Sequence, residues 1–390
     1  MTGGEIEFMV SFYYLSSIRE LPTPYMSLVP PNIESLRPYK PGKPVDEVRR
    51  EFGLERIIKL ASNENPLGPS PLAIEEMKRN FSDLHLYPNA GYDLRVVLAE
   101  KYNVKLENVI TGNGSEGIML TIMRTFIAPD DEVLTTDAAF IGFQVLAHAQ
   151  GVTYRTVPYK SWHYDLDALA KQLTSRTKLI YLANPNNPTG TRFTKSDFDS
   201  FYKKIPQHVL IVFDEAYFEY AISDPHYPDS MKYRYDNVIT LRTFSKVYGL
   251  AGIRIGYGFA HEEIISNLLK VKLPFEPSTL AQAAAIGALK DTAFLKRSLE
   301  VNASGIRFMT QSLRELELDF VPSSANFIMV VLKSESDVNF IFQELLKRGI
   351  IVRPLKPFGL PNCLRISIGT EEENSCCINN LKNVLTNVSV

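Results

Sequence analysis

The stretch Val209-Leu210-Ile211-Val212-Phe213-Asp214-Glu215-Ala216-Tyr217 is a continuous apolar run closed by two carboxylates. An apolar run that long, without polar alternation and rich in β-branched residues, predicts a strand buried on both faces. Leu179 to Ala183 and Val238 to Leu241, on either side of it, have the same texture. Thr194 with Asp197 predicts a capping box opening a helix to Lys204. Further out, Val109 to Thr111, Glu132 to Thr135 and Val152 to Val157 read as strands. Helices are expected from the Ser70 cap and Pro71, over Gly117 to Phe126, and from Asp165 through Leu173. Strands alternating with helices in this way predict an α/β fold: a mostly parallel central sheet with helices on both faces. Ligands of such sheets bind beyond the carboxyl ends of the strands.

After about Lys290 the texture changes. A long helical stretch is followed by a strand from Asn326 to Val331, a helix from Ser336 to Arg348, and strands from Ile350 to Arg353 and Leu364 to Ile368. The expected division is a leader over 1–31, a segment over 32–69 joining a smaller α/β domain, a large domain over 70–290 and the small domain over 291–390. Pro22, Pro24, Pro30, Pro31, Pro38, Pro41 and Pro44 crowd the first part and predict extended structure there, an arm or an unstructured leader.

The 390 residues are 45% hydrophobic and 22% charged, enough for a large core. A formal net charge of -2 exerts no pull toward nucleic acid or anionic membranes. The apolar run Phe8 to Leu15 follows Glu5 and Glu7, is too short to span a bilayer and lacks a basic flank, so the protein reads as cytoplasmic. Cys363, Cys376 and Cys377 have no metal-type spacing with histidines and read as reduced thiols; no metal is expected.

Four polar motifs sit at strand exits. Thr111-Gly112-Asn113-Gly114-Ser115-Glu116-Gly117 opens a helix, where backbone N–H groups bind phosphate. Asn184-Pro185-Asn186-Asn187-Pro188-Thr189-Gly190 is a stiff loop that can aim the Asn187 amide. Asp214 closes its strand where a carboxylate needs a positive partner, with Tyr217 close behind. Thr243-Phe244-Ser245-Lys246 and Gly249-Leu250-Ala251-Gly252-Ile253-Arg254 supply hydroxyls, a lysine nucleophile and an arginine. Each motif alone is compatible with a turn, a capped helix or a loop lysine. Together they meet the needs of pyridoxal 5′-phosphate (PLP): a phosphate cup, an amide for its oxygen, a partner for its ring nitrogen and an amine. A Walker-type nucleotide site is excluded, since no G-x-x-x-x-G-K-[ST] is present.

With Asn63-Glu64-Asn65-Pro66, Tyr87-Pro88, Gly349-Ile350-Ile351-Val352-Arg353 and Leu364-Arg365-Ile366-Ser367 added, the sequence resembles the fold-type I aminotransferases from about Leu36 onward. Within them it is similar to the histidinol-phosphate aminotransferases. The resemblance implies that Lys246 forms a Schiff base with PLP and that Asp214 pairs with the pyridine nitrogen. It implies that Asn187 and Tyr217 contact the phenolic oxygen and that Gly114, Ser115, Thr243, Ser245 and Arg254 surround the phosphate. Tyr87 would reach that phosphate from the other subunit of a homodimer with shared active sites. Arg365 would bind the acid group of the amino donor or acceptor, Tyr39 and Arg353 would help select substrate, and Asn63 would lie near the same pocket. Phe140 stands where the family usually places a ring-stacking tyrosine, and Gly114-Ser115 where Ala-Asp is frequent.

The implied reaction is transamination between histidinol phosphate and glutamate/2-oxoglutarate, a step of histidine biosynthesis, with Lys246 moving the proton. Three alternatives share the cofactor. They are an aromatic amino-acid (phenylalanine or tyrosine) aminotransferase, a decarboxylase of phosphorylated threonine, and a non-catalytic PLP-binding regulatory module. The last would carry a DNA-binding domain, for which a short, proline-rich, non-basic leader is unsuited.

Overall fold

The computed structural model describes residues 27–38, 42–233 and 236–386. The leader before Ser27 and Tyr39 lie outside the described residues. The strands in chain order are β1 (Ile58–Lys59), β2 (Val109–Gly112), β3 (Glu132–Thr136), β4 (Thr153–Val157), β5 (Thr177–Ala183), β6 (Leu210–Asp214) and β7 (Val238–Thr243). They continue as β8 (Gly256–Phe259), β9 (Asp319–Val321), β10 (Phe327–Val331), β11 (Ile350–Ile351), β12 (Arg353–Pro354) and β13 (Cys363–Ser367).

A seven-stranded sheet has the order β2-β8-β7-β6-β5-β3-β4, with β8 alone antiparallel to its neighbours. The parallel register aligns Ala183 with Asp214 and Asp214 with Leu241. The three polar loops that follow β5, β6 and β7 therefore leave the sheet side by side, at its carboxyl edge. Apolar clusters cover the sheet, one including Met119, Phe143 and Ile265, another Leu169, Phe198 and Phe213. The Thr194–Asp197 capping box forms as expected on helix Lys195–Tyr202, and Ser70 and Asp165 cap their helices through Ala73 N and Ala168 N.

The remaining strands make a four-stranded antiparallel sheet, β12-β13-β10-β9, and a parallel pair, β1-β11. Ile58 and Leu60 pack in one cluster with Met309, Ile328 and Ile366, beside the long helix Thr292–Glu315. All three cysteines are free. No helix among the described residues is long and apolar enough to cross a membrane. Nor do the described residues contain a group of three or more His, Cys, Asp or Glu that could hold a metal ion.

Three expectations are corrected. The proline-rich segment is not extended throughout: Pro31–Glu34 is a helical turn, because proline suits a first helical position. The Asn32 amide ties this turn to the carbonyls of His148 and Ala149 at 3.3 and 3.0 Å. The helix expected from Gly117 begins at Gly114, so the glycine loop is its first turn. The strand expected over Ile350 to Arg353 splits at Val352, and its halves pair with β1 and β13 respectively.

Candidate active site

Asp214 is buried at the end of β6 with two donors on its carboxylate. Tyr181 Oη donates to Oδ2 at 2.6 Å and the Ala216 N–H to Oδ1 at 3.0 Å. Burial pushes this carboxyl up to about 6, against the opposing pull of the Tyr181 phenol, the Ala216 amide and the Lys246 charge. Burial, then the neighbouring Asp214 charge, holds the Tyr181 phenol well above its ordinary value, so it remains a donor. Tyr181 itself is fixed by stacking on Phe143, with centroids 4.3 Å apart.

Lys246 faces the same cavity, of about 260 Å³, which is also lined by Asp214, Tyr217, Asn187 and Phe140. Its Nζ lies 5.6 Å from the centre of the Tyr217 ring. Ser115, Thr243, Ser245 and Arg254 line this cavity as well. Thr243 Oγ1 donates to Ser245 Oγ at 3.0 Å, and Arg254 Nη1 reaches that Ser245 oxygen at 3.4 Å. Gly114 leaves room for the arginine: a Cβ there would stand 2.7 Å from Arg254 Nη2. Hydroxyls, a guanidinium and the start of helix Gly114–Phe126 thus converge as an anion cup.

A second cavity of about 190 Å³ shares Phe140, Asn187 and Lys246 with the first and adds Asn63, Arg353 and Arg365. Arg365 Nη1 donates to Asn187 Oδ1, and its Nη2 to Ala61 O at 2.8 Å. That contact fixes the Asn187 amide, with the Nδ2 hydrogens as its remaining donors. Asn63 Nδ2 donates to Tyr217 Oη at 2.9 Å.

Tyr87 is not among these residues. It is 81% exposed and stacks on Phe275, centroids 4.2 Å apart. Every other site residue expected from the sequence, among those described, lines one of the two cavities or, like Gly114, abuts a residue that does.

Sequence reasoning missed Tyr181 and Ser367. Tyr181 sits in an apolar strand and reads as core; its signal was a lone phenol in a buried run, which requires a partner. Ser367 closes the motif Leu364-Arg365-Ile366-Ser367, but the sequence assigned it no role. Glu215 was also unassigned. It binds the buried Arg242 guanidinium, whose Nε donates to Glu215 Oε2 at 2.8 Å. Arg242 also pairs with Asp229 at 2.9 Å.

These residues fit PLP. The anion cup suits its phosphate, the buried carboxylate whose ionisation burial opposes suits a protonated ring nitrogen, and Lys246 is an amine lining the same cavity. The profile of the class I and II aminotransferases matches residues 55–381. The chain is 43% identical to a histidinol-phosphate aminotransferase of an Anaeromyxobacter species, over 92% of this chain and 100% of that protein. It is 45% identical to one from Brevibacillus brevis, over 89% and 96%. The PLP complex of histidinol-phosphate aminotransferase from Sinorhizobium meliloti has the same fold, with a TM-score of 0.84 at 29% identity, covering 93% of this chain and 99% of that one. Aspartate aminotransferase of Thermus thermophilus, 22% identical, shares the fold with a TM-score of 0.80 over 92% of this chain and 100% of its own.

Proposed function

The chain belongs to the class I and II aminotransferases, PLP-dependent enzymes, and from that premise we propose that it moves the amino group of histidinol phosphate onto 2-oxoglutarate. One observation carries the substrate assignment beyond the likeness to named relatives. Arg353 and Arg365, both buried, line one small cavity together with Lys246. Histidinol phosphate brings a phosphate to that cavity, and 2-oxoglutarate brings two carboxylates. Guanidinium groups bind either anion in bidentate fashion, so unlike substrates can share one site. Phenylalanine offers a single carboxylate to the two guanidiniums.

PLP supplies an electrophilic carbonyl and a ring that accepts electrons. The residues of the chain do the rest. Lys246 would hold the cofactor through Nζ and would carry the proton at the substrate's amine-bearing carbon. Asp214 would accept the ring N–H, a cation whose presence would offset the burial that raises its carboxyl. Tyr217 and Asn187 would donate to the phenolic oxygen. Ser115, Thr243, Ser245 and Arg254 would hold the phosphate, Gly114 gives Arg254 its place, and Phe140 would lie against the ring. Asn63 supports Tyr217, and Tyr39 joins Arg353 in substrate selection.

The same reading includes a homodimer. Phe81, Leu84, Leu86, Leu273 and Phe275 are all at least half exposed around Tyr87, an apolar face suited to a second copy. Tyr87 would there meet the partner's phosphate cup. The division into domains over 70–290 and 291–390, with 32–69 joined to the second, is supported by the packing of Ile58 and Leu60 into the cluster of the antiparallel sheet.

Steady-state specificity constants with 2-oxoglutarate as acceptor test the substrate. Histidinol phosphate is expected to be favoured over phenylalanine by at least about tenfold; the reverse preference sinks the assignment in favour of the aromatic alternative. Lys246→Ala is expected to lose the visible absorbance of the cofactor and at least about a thousandfold of turnover.

A further inference from the structure

The hydrogen bonds around Asn63 permit only one direction. Asn63, Ser367 and Tyr217 are each at most 3% exposed, so their polar atoms must find partners within the protein. The Asn63 backbone is held at φ +55°. Its N–H donates to Ser367 Oγ at 2.8 Å, and Asn326 Nδ2 donates to its carbonyl at 3.0 Å. The Ser367 hydroxyl accepts that N–H and has one hydrogen of its own to give. Asn63 Oδ1, 2.8 Å away, is the acceptor recorded for it among the described residues.

That contact decides which end of the Asn63 amide is which. Oδ1 must face Ser367, so Nδ2 faces Tyr217 and donates to its Oη. A phenol oxygen that accepts from an amide keeps its own hydrogen to donate elsewhere. The Tyr217 ring is packed edge-on against Phe327, centroids 5.3 Å apart, and the residue lines the Lys246 cavity. With the amide reversed, Oδ1 would accept the Tyr217 hydrogen and withdraw it from the cavity.

We propose that Ser367 is a positioning residue which, through the Asn63 amide, holds the Tyr217 phenol as a hydrogen-bond donor to the cofactor's phenolic oxygen. The proposal rests on the placement of Tyr217 beside that oxygen. It gives the end of β13 a part in the chemistry, although Ser367 is not among the residues lining either cavity. A donor to the phenolic oxygen stabilises its anionic form and so lowers the pH at which the adjacent proton is lost. Loss of the donor raises that pH.

The experiment is a pH titration of the visible absorbance of the holoenzyme, without substrate. It compares the parent, Tyr217→Phe, Ser367→Ala and the double variant. Tyr217→Phe is expected to move the spectral midpoint to higher pH. Ser367→Ala is expected to move it the same way by about half a pH unit, the size of one weakened hydrogen bond to a charged group. The double variant is expected to match Tyr217→Phe alone, since the serine acts only through that phenol. Ser367→Cys keeps the side chain's shape but donates weakly. It is expected to shift the midpoint in the same direction, and it replaces the alanine variant if that one folds poorly. A parental midpoint in the Ser367 variants, alongside a shifted Tyr217→Phe, overturns the proposal. So does a Ser367 shift that adds in full to that of Tyr217→Phe. A parental midpoint in Tyr217→Phe sinks the placement of Tyr217 itself, a different failure.

Discussion

Asp214 carries two opposed demands. Its carboxyl, raised by burial to about 6, lies above the value of about 3.9 for aspartate in an unfolded chain. A group raised on folding contributes stability that is complete below about pH 4 and lost as pH rises through 6, here on the order of 3 kcal/mol. The cofactor-free protein is therefore expected to lose stability across that window, and Asp214→Asn to flatten the loss. Urea unfolding of both proteins from pH 4 to 7 measures it; parallel curves contradict the assignment of the raised carboxyl. In the holoenzyme the same substitution removes the partner of the ring nitrogen and is expected to lower turnover on the order of a hundredfold. Asp214 was legible because a carboxylate closing an apolar strand is chemically conspicuous, and Lys246 because it stands in one set with that carboxylate and the phosphate-binding segments. Tyr181 and Ser367 were not, because a phenol in a strand and a serine at a strand's end look ordinary until their partners are known.

Helices with caps and long apolar strands were legible as elements, and β8 was not. Gly256-Tyr257-Gly258-Phe259 places glycine at alternate positions and so lacks an apolar pattern. The structure supplies the reason. A Cβ at Gly256 would stand 2.3 Å from the Ser115 backbone nitrogen and 2.5 Å from the Gly114 carbonyl carbon. The bare strand lets the helix bearing the phosphate cup sit directly on the sheet. Since the clash is with backbone, Gly256→Ala is expected to destabilise the protein by about 1–3 kcal/mol and to displace the helix start. Its cofactor dissociation constant, followed by fluorescence, is expected to rise; parental affinity in the folded variant speaks against a cup built on that contact. The split at Val352 was equally hidden. Ile350 to Val352 is one apolar run with Arg353 directly behind it, and only the presence of two sheets to pair with divides the stretch and carries Arg353 into the cavity.

At the scale of the whole molecule, Tyr87, Leu84 and Phe275 stand at least half exposed, the apolar face on which the proposed homodimer would be built. The pair Leu84→Asp and Phe275→Asp places two charges on it, and a desolvated charge without a partner is costly. Light scattering is expected to show a dimer for the parent and a monomer for the variant, with weaker cofactor binding in the monomer. A dimeric variant with parental cofactor affinity argues that this face is not the interface. The sequence by itself determined the α/β class, the strands whose exits carry chemistry and the residue types of a PLP site. Those follow from local periodicity, capping and composition, which act over a few neighbouring residues. The tertiary structure alone decided which donor meets which acceptor. Asn63 and Ser367, 304 positions apart, meet because one cluster packs Leu60 with Ile366 and Ile368. Such a meeting depends on side-chain direction and on the docking of separate sheets, and no local pattern encodes either.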